Sequence, residues 1–212
     1  MADLDSLLVA GAPPIIAILR GLVPAEALGV GRALVDAGVR MLEVPSNSPD
    51  WQDSVAVLAR EFGQDCAIGG GTITSLELAD MLHAAGGTLL VAPNCDPAVI
   101  ARGLAHGIEV LPGVFSPSEA FAAVNAGARR LKLFPAGSVA LSHIGALASV
   151  LPQGTGIWAV GGVDADNAAQ WIAAGAEGVG VGGSLFAPGR PIEELTRRAR
   201  DLVAAVAQGS AQ

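Results

Sequence analysis

Residues 15–44, IIAILRGLVPAEALGVGRALVDAGVRMLEV, contain one complete structural unit. The unit opens on five apolar residues, IIAIL at 15–19, and passes through a turn into AEALGVGRALVDAG. There Ala27, Val30, Leu34 and Val35 recur at helical spacing and share one face. Gly38 marks the helix end, and MLEV at 41–44 begins a second apolar run. Strand, helix and strand in such quick succession predict a parallel β/α unit.

The same unit recurs along the chain. Apolar runs follow at CAI 66–68, TLLVA 88–92, EVL 109–111, RLKLF 130–134, IWAV 157–160 and GVGV 178–181. Most are followed by a glycine-rich or polar turn and an alanine-rich helical stretch. Thr74 with Glu77 and Ser116 with Glu119 have capping-box spacing. Gly63, Gly86, Gly107, Gly127 and Gly175 punctuate further helix ends. Eight strands alternating with helices predict an α/β (β/α)8 TIM barrel forming a single domain over residues 1–212. An open doubly wound sheet is the alternative. The segment before Ile15 is expected to form a short helix across the barrel floor.

Composition narrows the function. The 212 residues are 51% hydrophobic and only 15% charged, enough for a large core and incompatible with disorder. A net charge of −8 argues against nucleic acid and against an anionic membrane surface. It leaves a small phosphorylated ligand open, because local backbone dipoles can outweigh a global charge. The N-terminal MADLDSLLVAG carries acids where a signal peptide needs bases, so a cytoplasmic protein is expected. Leu133–Val163 has no charged residue, but Pro135, Gly137 and Pro152 break it up, so it does not read as a membrane span. Cys66 and Cys95 have no zinc spacing and read as reduced packing residues. His83, His106 and His143 fall in helical segments or at their starts, without HxH or HExxH spacing, so no metal and no cofactor is expected. Gly69–Gly71 lacks the spacing of a dinucleotide loop. Trp51, Trp158 and Trp171 read as core or interface residues.

In a parallel barrel, chemistry gathers where strands end and βα loops begin. On this reading the rim collects Arg20, Glu43, Gly69 to Thr72, Pro93 with Asn94, Pro112, Lys132 with Phe134, Gly161 with Gly162, and Gly182 with Gly183 and Ser184. Lys132 is the only lysine among twelve basic residues. Strand alternation turns Leu131 and Leu133 toward the helices and Lys132 into the barrel. A buried ammonium is costly and is tolerated where a neutral amine must act as a nucleophile. Lys132 is thus a Schiff-base candidate, or alternatively a structural ion-pair partner of Glu43. Arg20 could clamp a carboxylate bidentately or form a rim salt bridge. Thr72, with the N–H groups of Gly70 and Gly71, could complete that site, or Thr72 could cap a helix. Two glycine pairs at the ends of the last two strands could admit a phosphate or simply make tight turns. Asn94 and Phe134 could shape the pocket or only pack.

EVPSNSP, GGGT, APN, LKLFPA, AVGGV and VGGSL, in this order, resemble the 2-keto-3-deoxy-6-phosphogluconate/galactonate aldolase family over nearly the whole chain. The resemblance implies a class I aldolase in which Lys132 forms an imine with C2 of a phosphorylated keto-deoxy sugar acid and Glu43 is the general acid/base. The products would be pyruvate and glyceraldehyde 3-phosphate. It supports Thr72 at the substrate carboxylate and implies a homotrimer. AILRG and Asn47 place the chain nearer the galactonate branch, because an arginine commonly stands at position 47 in the gluconate branch. A gluconate-type or hydroxy-oxoglutarate aldolase, a non-catalytic phosphosugar-binding barrel, and a phosphate-binding epimerase or isomerase remain the competing readings.

Overall fold

The computed structural model describes residues 2–210, so the outermost residues of the expected domain, 1, 211 and 212, lie outside the described residues. Nine parallel strands form one sheet: β1 Ile15–Ile18, β2 Met41–Pro45, β3 Ala67–Gly71, β4 Leu89–Val91, β5 Glu109–Leu111, β6 Gly113–Val114, β7 Arg130–Leu133, β8 Gly156–Val160 and β9 Gly178–Val181. Their order is β5-β4-β3-β2-β1-β9-β8-β7-β6, so the two ends of the sheet are consecutive pieces of chain. Nine replaces the expected eight because a further short strand, Gly113–Val114, follows the fifth run beyond Pro112, which has no N–H to donate. Ala92 N donates to Leu111 O (3.1 Å) on one side of that run, and Lys132 N donates to Pro112 O (2.9 Å) on the other. The sheet is therefore a nearly closed parallel barrel.

Helices alternate with the strands: α1 Leu4–Val9, α2 Pro24–Asp36, α3 Trp51–Phe62, α4 Leu76–Ala84, α5 Pro97–Ala105, α6 Pro117–Asn125, α7 Ser142–Ala148, α8 Ala168–Ala173 and α9 Ile192–Ser210. The expected capping box at Ser116 and Glu119 is present on α6. The one at Thr74 is not, because Ser75 is the N-cap of α4 and accepts from Leu78 N. Gly38, Gly86, Gly107, Gly127 and Gly175 take the left-handed conformation that ends a helix, whereas Gly63 stays right-handed at the end of α3.

Strand alternation separates two cores. Ile15, Ala17, Leu42, Val44, Leu131 and Leu133 pack outward with the helices. Ile16, Met41, Ala67, Leu89, Leu111 and Trp158 fill the barrel's lower interior, where Leu4 and Leu7 of α1 join them. Trp51 and Trp171 are buried in the outer core. Below Trp158 lies an ionic cluster. Arg130 donates to Glu177 (2.9 and 3.2 Å), Asp5 (2.6 Å) and Glu109 (3.2 Å), and Trp158 Nε1 donates to Glu177 (2.6 Å). The cluster ties α1 to the strand bottoms. No described helix is long and apolar enough to cross a membrane.

Hydrogen bonds from Arg130 and Arg129 hold the Asp5 carboxyl below its ordinary value of 3.8. A lowered carboxylate stabilises the fold above its ordinary pKa and loses that contribution as pH falls through the lowered value. Asp5→Asn is therefore expected to unfold at lower denaturant than the parent at pH 7, with the gap closing progressively below pH 3.8. A gap of constant size across that range would contradict the assignment.

Candidate active site

A cavity of about 320 Å³ opens at the C-terminal ends of the strands, lined by Arg20, Glu43, Thr72, Pro93, Lys132, Phe134, Gly161, Gly162, Gly182, Gly183 and Ser184 among others. Lys132 is 7% exposed and Glu43 is 2% exposed. Each sits on a strand between two residues of the outer core, which leaves the barrel interior as its only direction. Among the described residues no ion pair joins the two side chains, and Glu43 Oε2 is buried without a hydrogen-bond partner. Burial pushes the Glu43 carboxyl up to about 7, against the opposing pull of Lys132 and then Arg20. Burial also lowers the Lys132 pKa, opposed by Glu43 and assisted by Arg20. Desolvation thus pushes each member of the pair toward its neutral form, the carboxyl toward the acid and the ammonium toward the amine. The Phe134 ring lies under the Lys132 amine, 4.7 Å from Nζ to the centroid, and the ring itself is 37% exposed at the cavity mouth.

Gly70 and Gly71 do not line the cavity. The strand runs further than CAI indicates, so Gly69–Gly71 lie within β3, paired with β2 and β4. The structure therefore does not bring these two glycines, expected beside Thr72 at a carboxylate, to the cavity wall with Arg20 and Thr72. Their role is steric. A Cβ at Gly71 would overlap the Glu43 carboxylate, and one at Gly70 would press on Leu82, Ile73 and Trp51. Asn94 is also absent from the lining. Its carbonyl accepts from Gly113 N (3.2 Å) at the β5–β6 break, and Pro93 reaches the cavity instead.

Asn47 is not a lining residue either, but it holds one: Arg20 Nη1 donates to Asn47 Oδ1 (2.6 Å). It belongs to a loop, Ser46–Ser48, whose EVPSNSP motif and Asn47 the sequence singled out without revealing the bonds the loop makes. Ser46 N donates to Gly71 O (2.7 Å) and Ser46 Oγ to Thr72 O (2.8 Å). Ser48 Oγ accepts from Gly21 N (2.9 Å). One loop therefore fixes the strand ends on both sides of Glu43. Thr72 has a φ of 57°, a left-handed conformation that a β-branched residue rarely adopts. Such strain costs on the order of 1–3 kcal/mol and persists only where surrounding contacts impose it. Ser46 supplies two of those contacts. The signal for this loop was Ser46-Asn47-Ser48, a run of short hydrogen-bonding side chains directly after β2.

On the opposite wall, Gly161 and Gly162 have φ of 88° and 81°. Gly161 O accepts from Gly137 N (2.8 Å), and a Cβ on either glycine would press on Phe134 or Gly137. Ser184 Oγ donates to Val163 O (3.3 Å), linking this turn to the one after β9. His83 and His106 stack on each other at the α4–α5 surface, with His106 bonded to Asp80, and His143 lies on α7; none lines the cavity. Among the described residues no group of three or more His, Cys, Asp or Glu side chains is arranged to hold a metal ion.

A nearly closed parallel barrel with a buried lysine and a buried carboxyl at its C-terminal rim defines the class of barrel enzyme site suited to a nucleophilic amine. The KDPG and KHG aldolase family model matches residues 9–199, and the chain belongs to that family. It is 42% identical over 192 residues to the 2-dehydro-3-deoxy-6-phosphogalactonate aldolase of Escherichia coli K12, covering 91% of this chain and 94% of the relative. A solved structure described as native KDPGal superposes with a TM-score of 0.92 at 40% identity, covering 94% of this chain and 97% of the other. The KDPG aldolase of Legionella pneumophila, solved with pyruvate captured as a covalent carbinolamine, superposes at 0.78 with 25% identity, covering 92% and 93%.

A carboxyl raised by burial costs stability as pH climbs from its ordinary value toward the raised one. For Glu43 that window runs from 4.5 to about 7. Glu43→Gln is therefore expected to gain stability relative to the parent between pH 4.5 and pH 8, by ~3 kcal/mol at most. Denaturant unfolding at the two pH values checks this, and a pH-independent difference would contradict it.

Proposed function

We propose that this protein is a class I aldolase that cleaves 2-dehydro-3-deoxy-6-phosphogalactonate to pyruvate and D-glyceraldehyde 3-phosphate. The observation that carries the reading is the desolvated Lys132 amine facing the buried, partnerless Glu43 carboxyl in one cavity. Whole-length similarity to the named galactonate relative supports the substrate.

The neutral Lys132 Nζ attacks C2 of the keto acid, and loss of water leaves a protonated imine. Glu43 in its ionised form takes the C4 hydroxyl proton. The C3–C4 bond then breaks, its electrons pass to the imine nitrogen as an enamine, and the aldehyde departs. Glu43, now protonated, returns its proton to C3, and water hydrolyses the imine to release pyruvate. A carboxyl with a pKa near 7 suits both halves of this cycle, because each form is substantially populated at neutral pH. Arg20 and Thr72 would receive the substrate carboxylate, and Phe134 would cover the imine. Gly161, Gly162, Gly182, Gly183 and Ser184 would receive the phosphate. Asn47 would act on specificity through its hold on Arg20 rather than by touching substrate.

The same reading takes the run 109–114 as one strand interrupted at Pro112, which makes the barrel eightfold and the whole chain one domain. It places the protein in the cytoplasm with its small-molecule substrate. It also takes the protein as a homotrimer, supported by the exposed Phe115 and Phe121 side chains beside and on α6.

Two assays test the proposal. Pyruvate release from the two C4-epimeric phosphosugar acids is expected to favour the galactonate epimer, and Asn47→Arg is expected to narrow that preference. Equal cleavage of both epimers would leave only the family-level activity. Lys132→Ala is expected to abolish cleavage, and retained activity would overturn the imine route.

A further inference from the structure

After β9 the chain makes a turn in which Gly182 O accepts from Leu185 N (2.8 Å) and Phe186 N (2.9 Å). The amides that precede those two, at Gly183 and Ser184, belong to residues that line the cavity. The carbonyls of the same turn are held from the other side. Arg190 Nη1 and Nη2 each donate to Gly183 O (3.3 Å), and Nη1 also donates to Ser184 O (3.3 Å) and to Leu185 O. Arg198 Nη1 adds a bond to Ser184 O (2.9 Å). Neither arginine lines the cavity. Arg190 is itself steadied by Glu194, 3.6 Å from its Nε, and its side chain is 15% exposed.

A peptide unit is planar and trans, so its C=O and N–H point in opposite directions. Gly183 O and Ser184 N share one such unit. A cation fixed on that carbonyl both directs the N–H the opposite way and polarises it. We propose that Arg190 is a positioning residue for the phosphate: from behind the turn it holds the carbonyls of residues 183–185, Gly183 O above all, and so presents the Ser184 amide to the phosphate. This rests on the reading above that the turn receives the phosphate. Five donors in a rigid fork suit several adjacent carbonyls, which a lysine could not span.

The test compares the phosphorylated keto acid with its dephosphorylated counterpart, for the parent, Arg190→Gln and Arg190→Lys. Arg190→Gln is expected to raise KM for the phosphorylated substrate ~10–100-fold, the scale of weakened hydrogen bonds to a charged group. Its kcat, and its kcat/KM on the dephosphorylated compound, should stay at parental values. Competitive inhibition by inorganic phosphate should weaken by the same factor, and Arg190→Lys should recover only part of the loss. An equal loss on both substrates, or no change on either, would overturn the proposal. If the parent itself handles both compounds alike and ignores inorganic phosphate, the phosphate reading fails instead. Should Arg190→Gln not fold, Arg198→Gln is expected to give a smaller shift of the same selective kind, and a non-selective loss there would count against the proposal.

Discussion

The structure turns on placing one amine and one carboxyl inside a water-poor barrel without letting them neutralise each other. Either group alone in such a place costs several kcal/mol. A close ion pair would offset that cost but would leave Lys132 a bound ammonium with little nucleophilic character. Instead burial outweighs the mutual attraction on both sides, raising Glu43 to about 7 and lowering Lys132. The barrel supplies the burial, and the missing side chain at Gly71 supplies the room for Glu43.

The surrounding loops maintain that balance. Ser46, Asn47 and Ser48 bind four groups on neighbouring strand ends, which places Arg20 and Thr72 around the pair without using the pair's own hydrogen-bonding atoms. At the opposite end of the barrel, α1 and the Arg130 cluster close the floor. Charge is satisfied through hydrogen bonds there and left unsatisfied at Glu43, and only the second arrangement is suited to moving a proton. The two regions share a physical theme, buried ionisable groups in a parallel barrel, with opposite outcomes.

Much of this was legible from the sequence. Repeated apolar runs with glycine-ended helices located every strand but the two-residue β6, because parallel strands buried on both faces read as short continuous hydrophobic stretches. The isolation of Lys132 between two leucines fixed its direction by alternation. What escaped followed from residues that carry no pattern. Three successive glycines cannot show a period of two, so GGG read as loop and proved to be strand. Gly113–Val114, read as the turn after the fifth run, is too short to show a pattern and proved to be a strand. Asn47 and Ser46 act through neighbours distant in sequence, Arg20 and Thr72, and such contacts exist only once the sheet register sets them side by side. The role of Arg190 was invisible for the same reason: its partners are carbonyls, which every residue possesses.

The central claim is that Lys132 itself becomes covalently bonded to the substrate carbonyl carbon. The most direct measurement is borohydride reduction in the presence of pyruvate, followed by mass mapping of the modified peptide. The account predicts a single reduced pyruvate adduct on Lys132, formed at neutral pH and absent without pyruvate. Rapid turnover with no adduct at Lys132, or an adduct elsewhere in the chain, would contradict it.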